Sequence, residues 1–143
     1  MRLRATIPCL LWCILLVACS QRSGPAQPAP EAILQAIPAA DPAQYSQVHD
    51  MKQWRNPYLI VRKDGVALYD SADSAEIILK PNELLPMLAH LPPSNWPYGR
   101  VVAATEAGSR ASEQEGIAIR KNKGIVGGLL EGAHVAIDWV PSA

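Results

Sequence analysis

Two β-prone runs, Tyr58–Lys63 and Val66–Tyr69, meet at Asp64-Gly65. Asp-Gly between such runs is a strong hairpin signal, because both central positions of a tight two-residue turn need positive φ. A loop of Asp64-Gly65 pairs Lys63 with Val66, Val61 with Leu68 and Ile60 with Tyr69. Strand alternation then puts Leu59, Val61, Val66 and Leu68 on one face and Tyr58, Ile60, Ala67 and Tyr69 on the other. Both faces are largely apolar, so the hairpin must be covered on both sides or lie at an interface. A chain that has to bury both sides of one hairpin is limited to layered folds.

The segments that follow supply the cover. Glu76–Lys80 reads as a short strand, and Asn82 as the cap of a helix through Leu91, with Leu84, Leu88 and Leu91 on one stripe. Pro86 falls near the first turn, where a missing N–H does least harm, and Pro92-Pro93 stops the helix. Arg100–Thr105 reads as a buried strand whose small Ala103 and Ala104 invite close packing. Ser112-Glu113-Gln114-Glu115 has the form of a capping box, predicting a helix over 112–131 closed by Gly132. Gly116, Gly124, Gly127 and Gly128 weigh against it at about 1 kcal/mol each relative to alanine. The competing reading is a strand at Ile117–Arg120, a turn at 121–124 and a second strand, with the helix slightly favoured. Ala133–Val140 alternates cleanly and predicts a closing strand. The fold class expected is therefore α+β: one small domain, a hairpin plus two helices packed on a mixed sheet.

The N-terminus carries a different message. Met1–Arg4 is basic, Ile7–Ala18 is almost wholly apolar, and Leu16-Val17-Ala18-Cys19 ends the run. A basic start, a short apolar core and a small residue before the cut describe a secretory leader, too short to span a bilayer comfortably. The last four residues resemble the lipobox of bacterial lipoproteins. That resemblance implies lipidation of the Cys19 sulfur, cleavage after Ala18 and a membrane anchor, which two or more acyl chains make stable. Ser20 after the cysteine implies, in a two-membrane cell, the outer membrane facing the periplasm rather than the inner one.

Residues 20–44 contain five prolines and no aromatic residue, so they cannot bury enough surface to fold alone. Glu31–Ile37 has room for a turn or two of helix. Fully extended, such a segment reaches on the order of 75 Å. The organisation expected is a signal peptide over 1–18, a lipidated Cys19 with a Pro/Ala-rich tether over 19–44, and the α+β domain over 45–143.

Chemistry is sparse. The cysteines, Cys9, Cys13 and Cys19, all precede the domain, which leaves it without disulfide or thiol chemistry. The chain has 13 Lys+Arg and 13 Asp+Glu; loss of Arg2 and Arg4 with the leader leaves 11 basic residues against 13 acids. With no basic stripe, nucleic acid is not an expected partner. The run Arg120, Lys121, Lys123 reads as a solvated turn. His49, His90 and His134 have no metal-binding spacing. His134 and Asp138, four apart on a strand, would sit about 13 Å apart, too far for a dyad. Asp70/Asp73/Glu76 and Glu113/Glu115 lack the spacing of a calcium loop. No nucleophile elbow or phosphate loop is present. No cofactor, metal or catalytic residue is therefore expected.

The remaining binding candidates are aromatic: Trp54, Tyr58, Trp96, Tyr98 and Trp139, the first four set beside prolines. Exposed aromatics anchor interfaces, yet in a chain with no phenylalanine they are twice as readily read as core. Ile60-Val61-Arg62-Lys63-Asp64-Gly65, Glu83-Leu84 to Leu91, Val101-Val102-Ala103 and Leu129–Ile137, in that order, are similar to the periplasmic domain of the ExbD/TolR family over residues 58–140. That resemblance implies a binding or dimerising domain, with peptidoglycan nearby. The family's transmembrane helix carries an aspartate, whereas residues 1–18 here contain no acid, so a proton-driven motor role is not implied. The expected function is a non-enzymatic, membrane-anchored envelope lipoprotein whose domain binds an envelope protein, peptidoglycan or a second copy. The alternative is a small periplasmic enzyme gathering His134, Asp138 or His90.

Overall fold

The structure, a computed structural model, describes residues 27–48, 50, 52–70, 73–108 and 112–141. The leader, Cys19, Ser20 and His49 lie outside the described residues. Five strands form one mixed sheet: β1 (Tyr58–Arg62), β2 (Gly65–Asp70), β3 (Ala75–Leu79), β4 (Val101–Glu106) and β5 (Ala136–Trp139). Four α-helices accompany it: α1 (Pro30–Gln35), α2 (Pro42–Tyr45), α3 (Leu84–His90) and α4 (Glu113–Gly132). Strand order is β3-β2-β1-β4-β5. The first three strands pair antiparallel, and β1-β4 and β4-β5 pair parallel. Parallel neighbours need long crossovers, and α4 supplies the one between β4 and β5. The α+β expectation, with helices packed on a mixed sheet, describes this domain.

The hairpin differs from expectation in register but not in sidedness. Arg62 pairs with Gly65, Val61 with Val66 and Leu59 with Leu68, so the turn is Lys63-Asp64. The slip is two residues, and an even slip leaves every side chain on its expected face. Glycine is needed at the start of β2 for two reasons. Gly65 has φ +149°, and a Cβ there would lie 2.3 Å from the Leu79 carbonyl oxygen of β3. Neither Lys63 nor Asp64 takes a positive φ, so the mirror-image turn that would centre the loop on Asp-Gly does not form.

Both faces of the sheet are covered. On one, Leu59, Val66, Leu68, Val102 and Ala104 pack with Leu84, Leu85 and Leu88 of α3 and Val126 and Leu130 of α4. On the other, Tyr58, Val101 and Ala103 pack under Trp54, with half-buried Tyr45, Val48 and Tyr98 around them. Ala103 and Ala104, adjacent on β4, thus serve one cluster each.

The segment 112–131 is a helix. Ser112 accepts the Glu115 N–H at 3.3 Å and the Glu115 carboxylate accepts the Ser112 N–H at 3.0 Å, closing the capping box. Its glycines are outvoted by burial: Ile119, Val126 and Leu130 are all buried, and each such side chain contributes about 1.5–3 kcal/mol. The closing residue is not Gly132. The left-handed position falls to His134, at φ 58°. The Val135 N–H bonds Leu130 O at 2.8 Å and the His134 N–H bonds Glu131 O at 2.9 Å, the paired bonds of a Schellman cap. The last strand accordingly starts at Ala136 rather than 133. Likewise a 3-10 turn, Pro81–Glu83, precedes α3. The cap bond there runs from the Lys80 N–H to the Glu83 carboxylate at 2.8 Å, not through Asn82.

The boundary at residue 45 moves. Leu34 of α1 is fully buried in the main core. The Arg100 N–H bonds Pro38 O at 2.8 Å, and its guanidinium reaches Leu34 O and Ile37 O, both at 3.4 Å. Gly99 (φ +78°) lets the chain pass: a Cβ there would sit 2.4 Å from Ala39 O. Residues 30–45 therefore belong to the domain, and only the stretch before Pro30 is left for a tether. Such a segment cannot fold alone, but it needs only one leucine and a ladder of carbonyls to join a core that already exists.

Candidate functional site

Four of the aromatic candidates are structural. Trp54, Tyr58 and Trp96 are buried, and Tyr98 is half-buried. Trp54 meets Tyr45 and Tyr98 edge-on, with centroids 5.7 and 5.3 Å apart, and its indole N–H bonds Pro57 O at 3.1 Å. Tyr58 stacks edge-on against Tyr69 at 6.4 Å. Burial raises the Tyr58 phenol above its ordinary pKa, so it holds its proton near neutral pH. The four do not form one surface: Trp54, Tyr58 and Tyr98 gather on one face of the sheet, while Trp96 packs in the helix-side core.

The node that holds this region together is Asn56, buried at 6% exposure. Its amide donates to Gly99 O at 2.7 Å and Val101 O at 2.8 Å and accepts from the Tyr98 N–H at 2.9 Å. Asn56 was not among the sequence candidates. A lone asparagine before a proline reads as a turn residue, and nothing local marks it for burial.

The polar residues considered for chemistry are dispersed. His90 is exposed, its Nδ1 2.6 Å from Pro86 O at the end of α3. His134 is the cap of α4, and Asp138 lies on β5 beyond it. Among the described residues, no group of three His, Cys, Asp or Glu is placed to hold a metal ion. The basic run at 120–123 lies in α4 rather than in a turn. Lys123 bonds Glu106 at 2.5 Å and lies 4.4 Å over the Trp139 ring. Lys63 pairs with Glu115, and that contact, with the two from Ser112, lowers the Glu115 pKa to about 2.

What the fold leaves outside is a sheet edge. β3 is terminal in the sheet, and Ala75 through Ile78 are all exposed. Ile77 is 44% and Ile78 53% exposed, and alternation sends them to opposite sides of the strand. Beside Ile77, a hollow of about 150 Å³ opens between the hairpin and α3, lined by Leu68, Met87 and Leu91 together with Arg55 and Asn95. Edge strands carry a row of outward N–H and C=O groups and are normally blunted by charge, bulges or cover. The other edge, β5, has Lys123 lying over its Trp139. On β3 the strand carries one charge, Glu76, which accepts from the Arg62 guanidinium at 2.6 Å, with Lys80 just past its end; Ile77 and Ile78 between them are not covered by charge. Such an edge offers main-chain hydrogen bonds and apolar contact.

No family model, curated protein or solved structure matches the chain. No helix among the described residues is long and apolar enough to cross a membrane.

Proposed function

We propose that the chain is an envelope lipoprotein, held at a membrane by lipid on Cys19, whose domain is a non-enzymatic docking module for an extended segment of a partner protein. The observation that carries the docking half is the open β3 edge with Ile77 and Ile78 exposed at its centre. Adding a strand there satisfies the outward backbone groups and covers both isoleucines, and the hollow beside Ile77 receives an alternate side chain. An apolar edge of this kind favours protein over peptidoglycan, whose sugars would leave the isoleucines against polar hydroxyls. The charges flanking the isoleucines, Glu76 and Lys80, ask for a partner strand with a base opposite Glu76 and an acid opposite Lys80. The anchoring half rests on the charged, apolar and lipobox segments of residues 1–19.

Two measurements test the halves separately. Intact mass and membrane fractionation, beside Cys19→Ala, test the anchor: a chain starting at Cys19 with added lipid is expected, and an unlipidated soluble product would overturn it. A photo-reactive residue at position 78 tests the docking. It is expected to give, in intact cells, an adduct whose mapped peptide is an extended, alternately apolar segment, and Ile77→Lys should abolish that adduct. Adducts to glycan alone, or an unchanged adduct in Ile77→Lys, would reject strand addition.

A further inference from the structure

The carbonyls of Pro57 and Val61 face β4, accepting the Ala103 N–H at 3.1 Å and the Ala107 N–H at 2.8 Å. The odd residues of β1 therefore face β4 and the even ones face β2. Antiparallel pairs alternate between hydrogen-bonded and non-hydrogen-bonded residues. Carried through the registers of β1, β2 and β3, that alternation turns Ala75, Ile77 and Leu79 toward β2. The N–H and C=O groups of Glu76 and Ile78 are left pointing out of the sheet. Those of Lys80 are engaged in the turn that follows: its N–H donates to the Glu83 carboxylate at 2.8 Å and its carbonyl accepts the Glu83 N–H at 2.9 Å.

The side chains along this edge have an order. Glu76, Ile78 and Lys80 share one face of the strand, and Ile77 and Leu79 share the other. Arg62 holds the Glu76 carboxylate at 2.6 Å, while the Lys80 ammonium makes no ion pair among the described residues. Acid, isoleucine and base at every second position make a strand that complements itself. Laid antiparallel on a second β3 with Ile78 opposite Ile78, it sets Glu76 opposite Lys80 and Lys80 opposite Glu76. The same register sets Ile77 opposite Leu79 on the helix-covered face.

We propose that the occupant of the β3 edge is a second copy of this chain, joined in that register about a two-fold axis through Ile78. The proposal rests on the docking reading of β3 and names its partner. The two Ile78 residues exchange both of their outward groups, as directly opposite residues of a hydrogen-bonded antiparallel pair do. Two five-stranded sheets run on as one. Because each copy presents the same patch, the contact closes at two copies. Other registers fail on the side chains. A one-residue shift sends the isoleucines of the two copies to opposite faces. Centring on Ile77 sets each Glu76 against an isoleucine, and centring on Glu76 sets like charges directly opposite. The contact is short, a five-residue strand per copy against the roughly 20–30 residues a side of a standard interface. The pair is therefore weak in free solution, and the proposed lipid on Cys19 would raise its population by holding both copies on one surface.

The chain from Ser20 onward keeps every described residue and contains no cysteine. Its sedimentation from about 0.01 to 1 mM should report a monomer–dimer equilibrium and nothing larger. Ile78→Cys should oxidise to a disulfide dimer, since opposite Cα atoms of a hydrogen-bonded pair lie about 5.5 Å apart, within disulfide reach. Ile77→Cys, whose copies meet only diagonally, should form about tenfold less. Glu76→Lys and Lys80→Glu should each weaken self-association about tenfold or more, because each sets like charges opposite at both ends of the contact. Mixed one to one, these two variants should pair with each other about as tightly as the natural chain does with itself, since opposite charges again face at both ends. Unfolded chains could not give that rescue. A chain that stays monomeric to about 1 mM, variants that remain folded yet do not rescue each other, or a disulfide formed as readily at 77 as at 78 would each overturn the proposal. The docking reading keeps its own readout: an adduct from position 78 that maps to a strand of another protein, with this chain monomeric, would uphold the edge and reject the second copy.

Discussion

Asn56 shows how one polar side chain can set the course of a loop. Its three hydrogen bonds, to Gly99, Val101 and Tyr98, tie the entry of β1 to the entry of β4. Removing it leaves the Val101 carbonyl and the Tyr98 N–H without a partner in a largely buried place, while Gly99 O keeps the Val101 N–H at 2.8 Å. Asn56→Ala should therefore destabilise the domain by about 2–4 kcal/mol, read as a lower urea midpoint at unchanged slope. Asn56→Asp keeps the acceptor but loses both donors and sets a charge against two carbonyls, so it should do no better at neutral pH. Glu115 is the second residue with a measurable signature. Its folded pKa of about 2 lies below the ordinary glutamate value of about 4.3. A depressed pKa means stability that is present above pH 4.3 and lost as pH falls from there through 2. The stability gap between the natural protein and Glu115→Gln should be largest at neutral pH and close over that window. The exposed Lys63 contact should weaken in high salt, while the Ser112 cap should not. A gap that stays constant down to pH 2 would show that the carboxylate charge adds nothing. Of these residues, Glu115 was legible from its spacing to Ser112; Asn56 was not, because its partners are more than 40 positions away.

Among the elements, α4 was the one the sequence left most open, and the reason is physical. Propensity counted the glycines, whereas the outcome turned on three buried side chains, Ile119, Val126 and Leu130, which only the assembled sheet can cover. Its N-terminus was legible because a capping box is local. Its C-terminus was not, because glycine stands two positions early, at 132, and histidine occupies the left-handed site at 134. That mismatch yields a prediction. A non-glycine residue in the left-handed region costs roughly 1–2 kcal/mol, partly offset by glycine's greater freedom in the unfolded chain. His134→Gly should thus stabilise the protein by about 0.5–1 kcal/mol. The bond from the Arg100 Nε to His134 O, 2.7 Å, uses the backbone and survives the change. Loss of stability in His134→Gly would mean that the imidazole itself contributes. The hairpin behaved in the opposite way: its faces were legible because parity survives an even slip, while its register depended on the approach of β3 to Gly65, a contact between different elements.

At the scale of the whole molecule, in the proposed lipoprotein the point at which the tether ends and the domain begins would decide how far the domain stands from its anchor. The composition of residues 20–44 describes a spacer, and that description holds for autonomy but not for participation. Leu34 fills the core, and Arg100 reads carbonyls at residues 34, 37 and 38. A chain beginning at Gln27 keeps all of this; one beginning at Tyr45 loses it. Burial of Leu34 alone is worth about 1.5–3 kcal/mol, a cavity in its place adds to the loss, and Arg100 would surrender three acceptors. The sum is a large share of the 5–15 kcal/mol that holds a typical domain together. Urea denaturation of the two chains should show the Gln27 chain unfolding like the chain from Ser20, and the Tyr45 chain with a much lower midpoint or no cooperative transition. Equal midpoints would return residues 30–44 to the tether. The expected result shortens the free spacer to the residues before Pro30, about ten after Cys19, or roughly 30 Å when extended. With the proposed lipid on Cys19, a domain held that close to a bilayer would meet only partners that approach the same surface.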